Sequence, residues 1–188
     1  CSLKVLRTME YFERNDGWRG TRKLDGGGVL SNQAIHHIDE LAFAVGTPKQ
    51  IRCNIWTQAH DIEAEDLGSA TWLYDDGLVL TFFATTSFPH KTWYINFELQ
   101  GTEGAYSHVA GGPFDQPQTR WFMNGAWQAA APEAATSEWL NAADNFAAAI
   151  RADATLVADG YEGRRTQSIL DAMYCSAYDN GGKWVMIG

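Results

Sequence analysis

Cysteine is scarce in this 188-residue chain: three, at 1, 53 and 175. An odd count at wide spacing, with no CxxC, argues against a disulfide framework and a cysteine-rich zinc site, and it fits a reducing compartment. Positive charge is also thin. Fourteen Lys and Arg stand against 23 Asp and Glu, for a formal charge of -9, and the basic residues form only short pairs such as Arg164-Arg165. A nucleic-acid binder needs a basic stripe, because neutralising phosphates dominates its affinity, so nucleic acid is set aside as a partner. A small anionic substrate is not, since a single local Arg can meet it. No apolar run approaches the roughly 20 residues that span a bilayer. The opening CSLKVLRTMEYF also lacks the apolar core and small-residue cleavage site of a signal peptide. The expectation is a soluble, cytoplasmic protein with no membrane partner and no metal.

What the chain does have is enough apolar residue to fold. Hydrophobic residues make up 45% and charged residues 20%, a globular profile that allows one domain over residues 1–188. The opening reads as a strand from Leu3 to Phe12. A glycine-rich connection leads to Gly26-Gly27-Gly28. From Val29 to Val45 the apolar positions Leu30, Ala34, Ile38, Leu41 and Ala42 recur at three and four residue steps, which predicts a helix stopped by Gly46 and Pro48. Residues 50–58 read as a strand, and 66–88 as two strands joined at Asp75-Asp76-Gly77. Alternation predicts a strand over 91–101, with Trp93, Ile95 and Phe97 on one face, continuing through a glycine turn into another. Two short strands are expected around TRWFMN and AWQAA. Residues 137–153 predict a helix with a Ser or Thr cap and a buried face of Trp139, Phe146 and Ile150. A loop with Asp159-Gly160, a helix from Gly163 to Tyr178 and a last strand KWVMI follow. Successive strands with helices at both ends imply an α+β, two-layer fold: a mostly antiparallel open sheet with helices packed on one face.

The glycine triplet and the residues after it carry the chemistry. A dinucleotide fingerprint needs GxGxxG directly after a strand, and a Walker loop needs Lys and Ser or Thr after its glycines; the stretch GGGVLSNQ meets neither. The triplet is therefore left with two readings: contact with an anion at a helix N-terminus, or glycine for close backbone approach or positive φ. On a continuous helix Asn32, His36 and Asp39 share a face, while His37 points about 100° away. His36 could serve there as a general acid or base oriented by Asp39, or as a half-buried polar residue. Adjacent histidines that face apart do not share a metal ion. Trp18 and Arg19 would suit a sugar face and its hydroxyls or an acid group, or else packing and surface. Tyr161, His90 and Tyr174 are further polar aromatics near element ends. The eight tryptophans, among them Trp56, Trp72 and Trp93, are expected to pack, some of them on an open sheet face that meets another subunit.

The stretch from Trp18 to Gly46, WRGTRKLDGGGVLSNQAIHHIDELAFAVG, resembles the start of the C-terminal domain of the Gfo/Idh/MocA oxidoreductases, the glucose-fructose oxidoreductase and inositol dehydrogenase family. That domain is itself similar to the C-terminal domain of glyceraldehyde-3-phosphate dehydrogenase. Members carry the glycine triplet, then Asp or Asn, a Gly or Ala, the catalytic His, and Asp three later, here Gly26 to Gly28, Asn32, Ala34, His36 and Asp39. AEDLGSATWLYDDGLVLTF, INFELQGTEGAYS and NFAAAIRADATLVADGYEGRRTQSILDAMYCSAYDNGGKWV agree with later elements in order, so the resemblance covers nearly the whole chain. It implies catalytic roles for His36 and Asn32, with Asp39 beside them; Trp18, Arg19 and Tyr161, read from residue type and position, join Asp39 as the residues expected toward substrate. It also implies a sugar, cyclitol or related polyol as substrate, and a homodimer or homotetramer assembled through the open sheet face. NAD or NADP would be held by a Rossmann domain with a catalytic Lys in a Glu-Lys-Pro segment, neither of which this sequence contains. Asn32 stands where some members have Asp, and an amide cannot carry that charge. The start on Cys rather than Met, directly in a strand-like pattern, leads to the expectation of a fragment of a longer dehydrogenase, inactive by itself. The rival expectation is a stand-alone, non-enzymatic carbohydrate-binding or oligomerisation domain.

Overall fold

A computed structural model describes residues 1–129, 141–152 and 154–188. Nine strands form one sheet in the order β8-β7-β6-β5-β1-β4-β3-β2-β9. They are β1 (Ser2–Lys4), β2 (Gln50–Trp56), β3 (Leu67–Leu73), β4 (Val79–Thr85), β5 (Tyr94–Gln100), β6 (Ala105–Gly111), β7 (Gln118–Met123), β8 (Ala126–Ala129) and β9 (Val185–Met186). β1 runs parallel to β4; the other pairings among the described residues are antiparallel. The open, mostly antiparallel sheet with helices on one face is the expected architecture. The hairpin expected at Asp75-Asp76-Gly77 is there: Gly77 takes φ +88°, and the Leu78 N–H donates to Asp76 Oδ1 at 3.0 Å.

Helices α2 (Val29–Asn32), α3 (Ile35–Val45) and α5 (Gly160–Tyr174) cover the β2–β4 half. Alternate sheet residues Ile51, Cys53, Ala70, Trp72, Leu80, Phe82 and Ala84 meet Leu30, Ala34, Ile38, Leu41, Ala42, Ile169 and Met173 in one core. Trp72 is fully buried and stacks on Phe82 with ring centroids 5.9 Å apart. Burying a side chain of this size contributes about 1.5–3 kcal/mol. On the opposite face Trp56 and Trp127 stay exposed. So packing by tryptophan holds for Trp72 and not for Trp56.

Four elements depart from the expectations. The opening strand stops at Lys4, and Met9–Glu13 is a short helix, α1, that buries Phe12. Short apolar runs fit either period, and contacts decide between them; here Phe12 packs edge-on against His60. The helix expected over Val29–Val45 is broken in two. The Ala34 N–H reaches back to the Val29 carbonyl at 2.8 Å, five residues rather than four, which slips the helical phase at Gln33-Ala34. The third departure is α4 (Ala142–Ala152), where Phe146 and Ile150 are 58% and 70% exposed while Asn145 is buried. The Asn145 amide bonds the Thr155 carbonyl and the Val157 N–H, so a polar tie to the following turn occupies the inner face. Trp139 and the expected Ser or Thr cap lie outside the described residues. α5 also begins earlier than Gly163, because Asp159 caps the N–H groups of Tyr161 and Glu162. It passes at Tyr174 into a π-helical turn, Cys175–Asp179.

Candidate functional site

The glycine triplet is shaped by a buried acid 37 residues further along the chain. Glu65, just before β3 and 2% exposed, accepts from the Gly28 and Leu30 N–H groups, each at 3.0 Å, and from the Tyr174 hydroxyl at 2.8 Å. Its backbone carbonyl takes the Val29 N–H at 2.9 Å. A carboxylate thus sits where an anionic ligand would have to bind, at the unsatisfied N–H groups that open a helix. A Cβ on Gly28 would lie 2.8 Å from the Glu65 carbonyl carbon and closer still to its oxygen, and one on Gly27 would strike the Tyr174 hydroxyl. Of the two readings the sequence left open, close backbone approach is the one realised, and the triplet does not fit a dinucleotide phosphate. Burial pushes the Glu65 carboxyl above the usual carboxylate range, against hydrogen bonds that pull it down.

The next residue, Asp66, is held in the opposite sense. Burial raises it too, but N–H bonds from Gln58, Ala59 and His60 and the His60 ring outweigh that and keep its carboxyl below the usual range. The second ring nitrogen of His60 meets the Arg7 carbonyl at 2.9 Å. Asp66 and His60 together therefore tie the 58–60 loop to Arg7, ahead of α1.

The break between α2 and α3 forms the polar centre. Asn32 donates through Nδ2 to Asp25 Oδ1 at 3.1 Å and accepts from Gln33 Nε2 at 3.0 Å. Gln33 also reaches the Tyr11 hydroxyl at 3.3 Å. Asp25 Oδ2 accepts from the Gly20 N–H at 2.7 Å. A carboxylate is thus one hydrogen bond from Asn32, although Asn32 itself is neutral. His36, in the first turn of α3, is exposed, and no described hydrogen bond holds it. His37 pairs with Glu40 at 2.7 Å.

Asp39 is exposed and accepts from the Thr166 hydroxyl, tying α3 to α5 rather than orienting His36. Trp18 and Arg19 are half-buried, with the Arg19 guanidinium 4.5 Å from the Trp18 ring. Tyr161 is 79% exposed on the first turn of α5. His90 lies in an exposed loop against Thr92, and Tyr174 is half-buried and bonded to Glu65. The structure thus gathers Asn32, Trp18 and Arg19 around the residues ahead of His36, and leaves Tyr161 and His90 outside the described contacts of that network. Reading by motif missed Asp25, Tyr11, Gln33, Arg7 and Glu65. Only Asp25, next to the triplet, carried a local signal.

Concave space lies elsewhere. A groove of about 610 Å³ runs between α3 and the uncovered β5–β7 face, lined by Trp93, Ile95, Phe97, Tyr106 and Trp121. Among the described residues no group of three His, Cys, Asp or Glu is placed to hold a metal, and no helix is long and apolar enough to cross a membrane.

The GFO/IDH/MocA C-terminal domain model matches residues 4–107. No curated protein matches. Among solved structures, the WlbA dehydrogenase from Bordetella pertussis, in complex with NADH and UDP-GlcNAcA, is 26% identical over 100% of this chain and 54% of its own, with a TM-score of 0.72. Apo levoglucosan dehydrogenase is 18% identical over 100% of this chain and 58% of its own, TM-score 0.78. Aldose-aldose oxidoreductase from Caulobacter crescentus, complexed with glycerol, is 18% identical over 98% and 55%, TM-score 0.73. The last two show the shared fold alone. This chain spans little more than half the length of each.

Proposed function

This chain belongs to the GFO/IDH/MocA C-terminal domain family, and from that premise we propose that it is the substrate-binding and proton-transfer half of a nicotinamide-dependent oxidoreductase acting on a sugar, cyclitol or related polyol. The observation that carries the reading is the α2–α3 junction: an exposed His36 at the start of a helix whose root is fixed by the Asn32–Asp25–Gln33 network. Support also comes from the Bordetella pertussis relative, which holds NADH and a nucleotide sugar.

NAD or NADP is assigned to a Rossmann domain outside this sequence, because Glu65 already fills the triplet's donors. A bound nicotinamide would supply the hydride acceptor. The residues of this chain do the rest. His36 takes the substrate hydroxyl proton as hydride leaves the carbon and returns it in the reverse direction. Asn32 positions the junction, and Asp25 supplies the negative charge that the amide lacks. Trp18 and Arg19 face the sugar. Asp39 and Tyr161 are assigned to the outer edge of the substrate site on α3 and α5. The exposed Trp56 and Trp127 on the open sheet face support assembly into a homodimer or homotetramer there.

His36→Ala in the full-length enzyme should cut turnover by about 100-fold or more, in line with a general acid/base role, and leave nicotinamide affinity unchanged. Wild-type-like turnover would refute the assignment.

A further inference from the structure

We infer that Arg7 and Arg19 form a receptor for an oxyanion substituent, carboxylate or phosphate, on the sugar substrate; the inference rests on reading the α2–α3 junction as the substrate site. Both guanidiniums lie against one ring, Arg7 at 4.7 Å and Arg19 at 5.1 Å from the Tyr11 centroid. Two cations gathered on one aromatic repel each other unless an anion joins them. Among the described residues neither forms an ion pair, whereas Arg14, Lys49 and Arg165 each hold a carboxylate.

Each leaves a buried donor unpaired as well. Arg7 Nε and Arg19 Nη1 are buried and meet no acceptor, although buried polar groups in folded proteins are ordinarily satisfied. The Arg7 side chain donates to the Leu6 carbonyl through Nη1, which leaves the rest of its fork free. A planar fork of N–H groups matches carboxylate and phosphate oxygens better than it matches a hydroxyl.

Tyr11 ties the pair to the junction. Its hydroxyl accepts from Gln33, which also donates to Asn32, four residues ahead of His36. Asp25, the acid of this network, accepts from Gly20 and Asn32 and is in no described ion pair with either guanidinium. Arg19 also borders a depression of about 330 Å³, but Glu13, Asp61 and Glu63 line it and would repel an anion. The receptor is therefore the Tyr11 side.

The test is calorimetric titration of the full-length protein, with NADH present, against D-glucuronate, D-glucose 6-phosphate and D-glucose, in wild type, Arg19→Gln and Arg7→Gln. At least one anionic probe should bind about tenfold more tightly than D-glucose, as charge-assisted bidentate bonds allow. Which one it is separates carboxylate from phosphate. Arg7→Gln should remove that advantage while leaving D-glucose and NADH affinities within about twofold, a difference too small to reflect a lost contact. Arg19→Gln, which also loses a contact to the sugar, should weaken every sugar probe but the anionic one most; unchanged NADH affinity also reports that the variant is folded. If one variant does not fold, the other carries the comparison. Equal binding of charged and neutral probes by wild type, binding of none of them, or equal weakening of all probes in a folded variant would overturn the inference. Calorimetry reads binding and not turnover. A sugar bound without anion preference would therefore sink this inference alone, and wild-type-like turnover in His36→Ala would sink the proton-transfer role alone.

Discussion

Replacing Gly28 with alanine separates the two roles a glycine triplet can play. The new Cβ would lie 2.8 Å from the Glu65 carbonyl carbon and 2.9 Å from its nitrogen, all rigid backbone, so the β3 entry or the α2 N-terminus must move. Movement breaks the Val29 N–H bond to the Glu65 carbonyl and the two bonds that the Glu65 carboxyl takes from Gly28 and Leu30. Leaving a buried group unpaired costs about 1–3 kcal/mol each, so partial loss of these three totals about 3–5 kcal/mol. With a urea slope of about 2 kcal/mol/M, the unfolding midpoint should fall by about 2 M. Gly26→Ala is the control. Gly26 takes φ +80° with nothing within 4 Å of an added Cβ, so only backbone strain of about 1–2 kcal/mol applies, a shift of under about 1 M. Urea unfolding of both variants, followed by tryptophan fluorescence, reads the difference. A Gly28→Ala midpoint no lower than that of Gly26→Ala, together with weakened nicotinamide binding, would refute the capping role and restore the triplet as an anion site.

The two buried acids ahead of β3 should respond to pH in opposite senses. Burial raises Glu65 in the fold, so its contribution is fully present below the unfolded value of about 4.3 and is lost as pH rises through the folded value. Glu65→Gln should therefore gain on wild type in urea midpoint between acid and neutral pH; a gap that does not move with pH would contradict the assignment. Asp66 is lowered in the fold, so its contribution is present above about 3.9 and lost as pH falls through the folded value. Asp66→Asn should cost about 1.5–3 kcal/mol at neutral pH, the worth of hydrogen bonds to a charged group. The deficit should shrink in acid, and a constant deficit down to pH 3 would count against it. In Thr166→Val the Asp39 carboxylate loses its α5 partner while staying exposed to water, so the expected cost is small, about 0.5–1.5 kcal/mol by thermal unfolding. A larger loss would mean that the link is not a solvent-accessible one.

Apolar periodicity marks the residues that are buried where a helix meets the sheet. Leu30, Ala34, Ile38, Leu41 and Ala42 were all legible from their three and four residue spacing, and all are in the core despite the break between α2 and α3. The Asp75-Asp76-Gly77 turn was legible because Asp-Gly has few other uses between two apolar alternations. The order GGG, Asn32, His36, Asp39 was legible as a family pattern. Spacing could not reveal the slip at Ala34, which removes Asn32 and His36 from a continuous helix, because one extra residue in a turn leaves the apolar pattern intact. It also could not show that Phe146 and Ile150 are uncovered, since a 3.6-residue period marks an apolar face and not what lies against it.

The partners of the candidate site were the least legible part. Glu65 reaches the glycine triplet across 37 residues, Thr166 reaches Asp39 across 127, and Arg7 and Arg19 each lie against the Tyr11 ring. Local order in the chain determines helices, turns and the buried stripe, because those depend on neighbours within one or two turns. Which acid caps the triplet, which amide holds the junction and which cations share an aromatic ring depend on contacts between distant segments, and only the folded sheet brings those together.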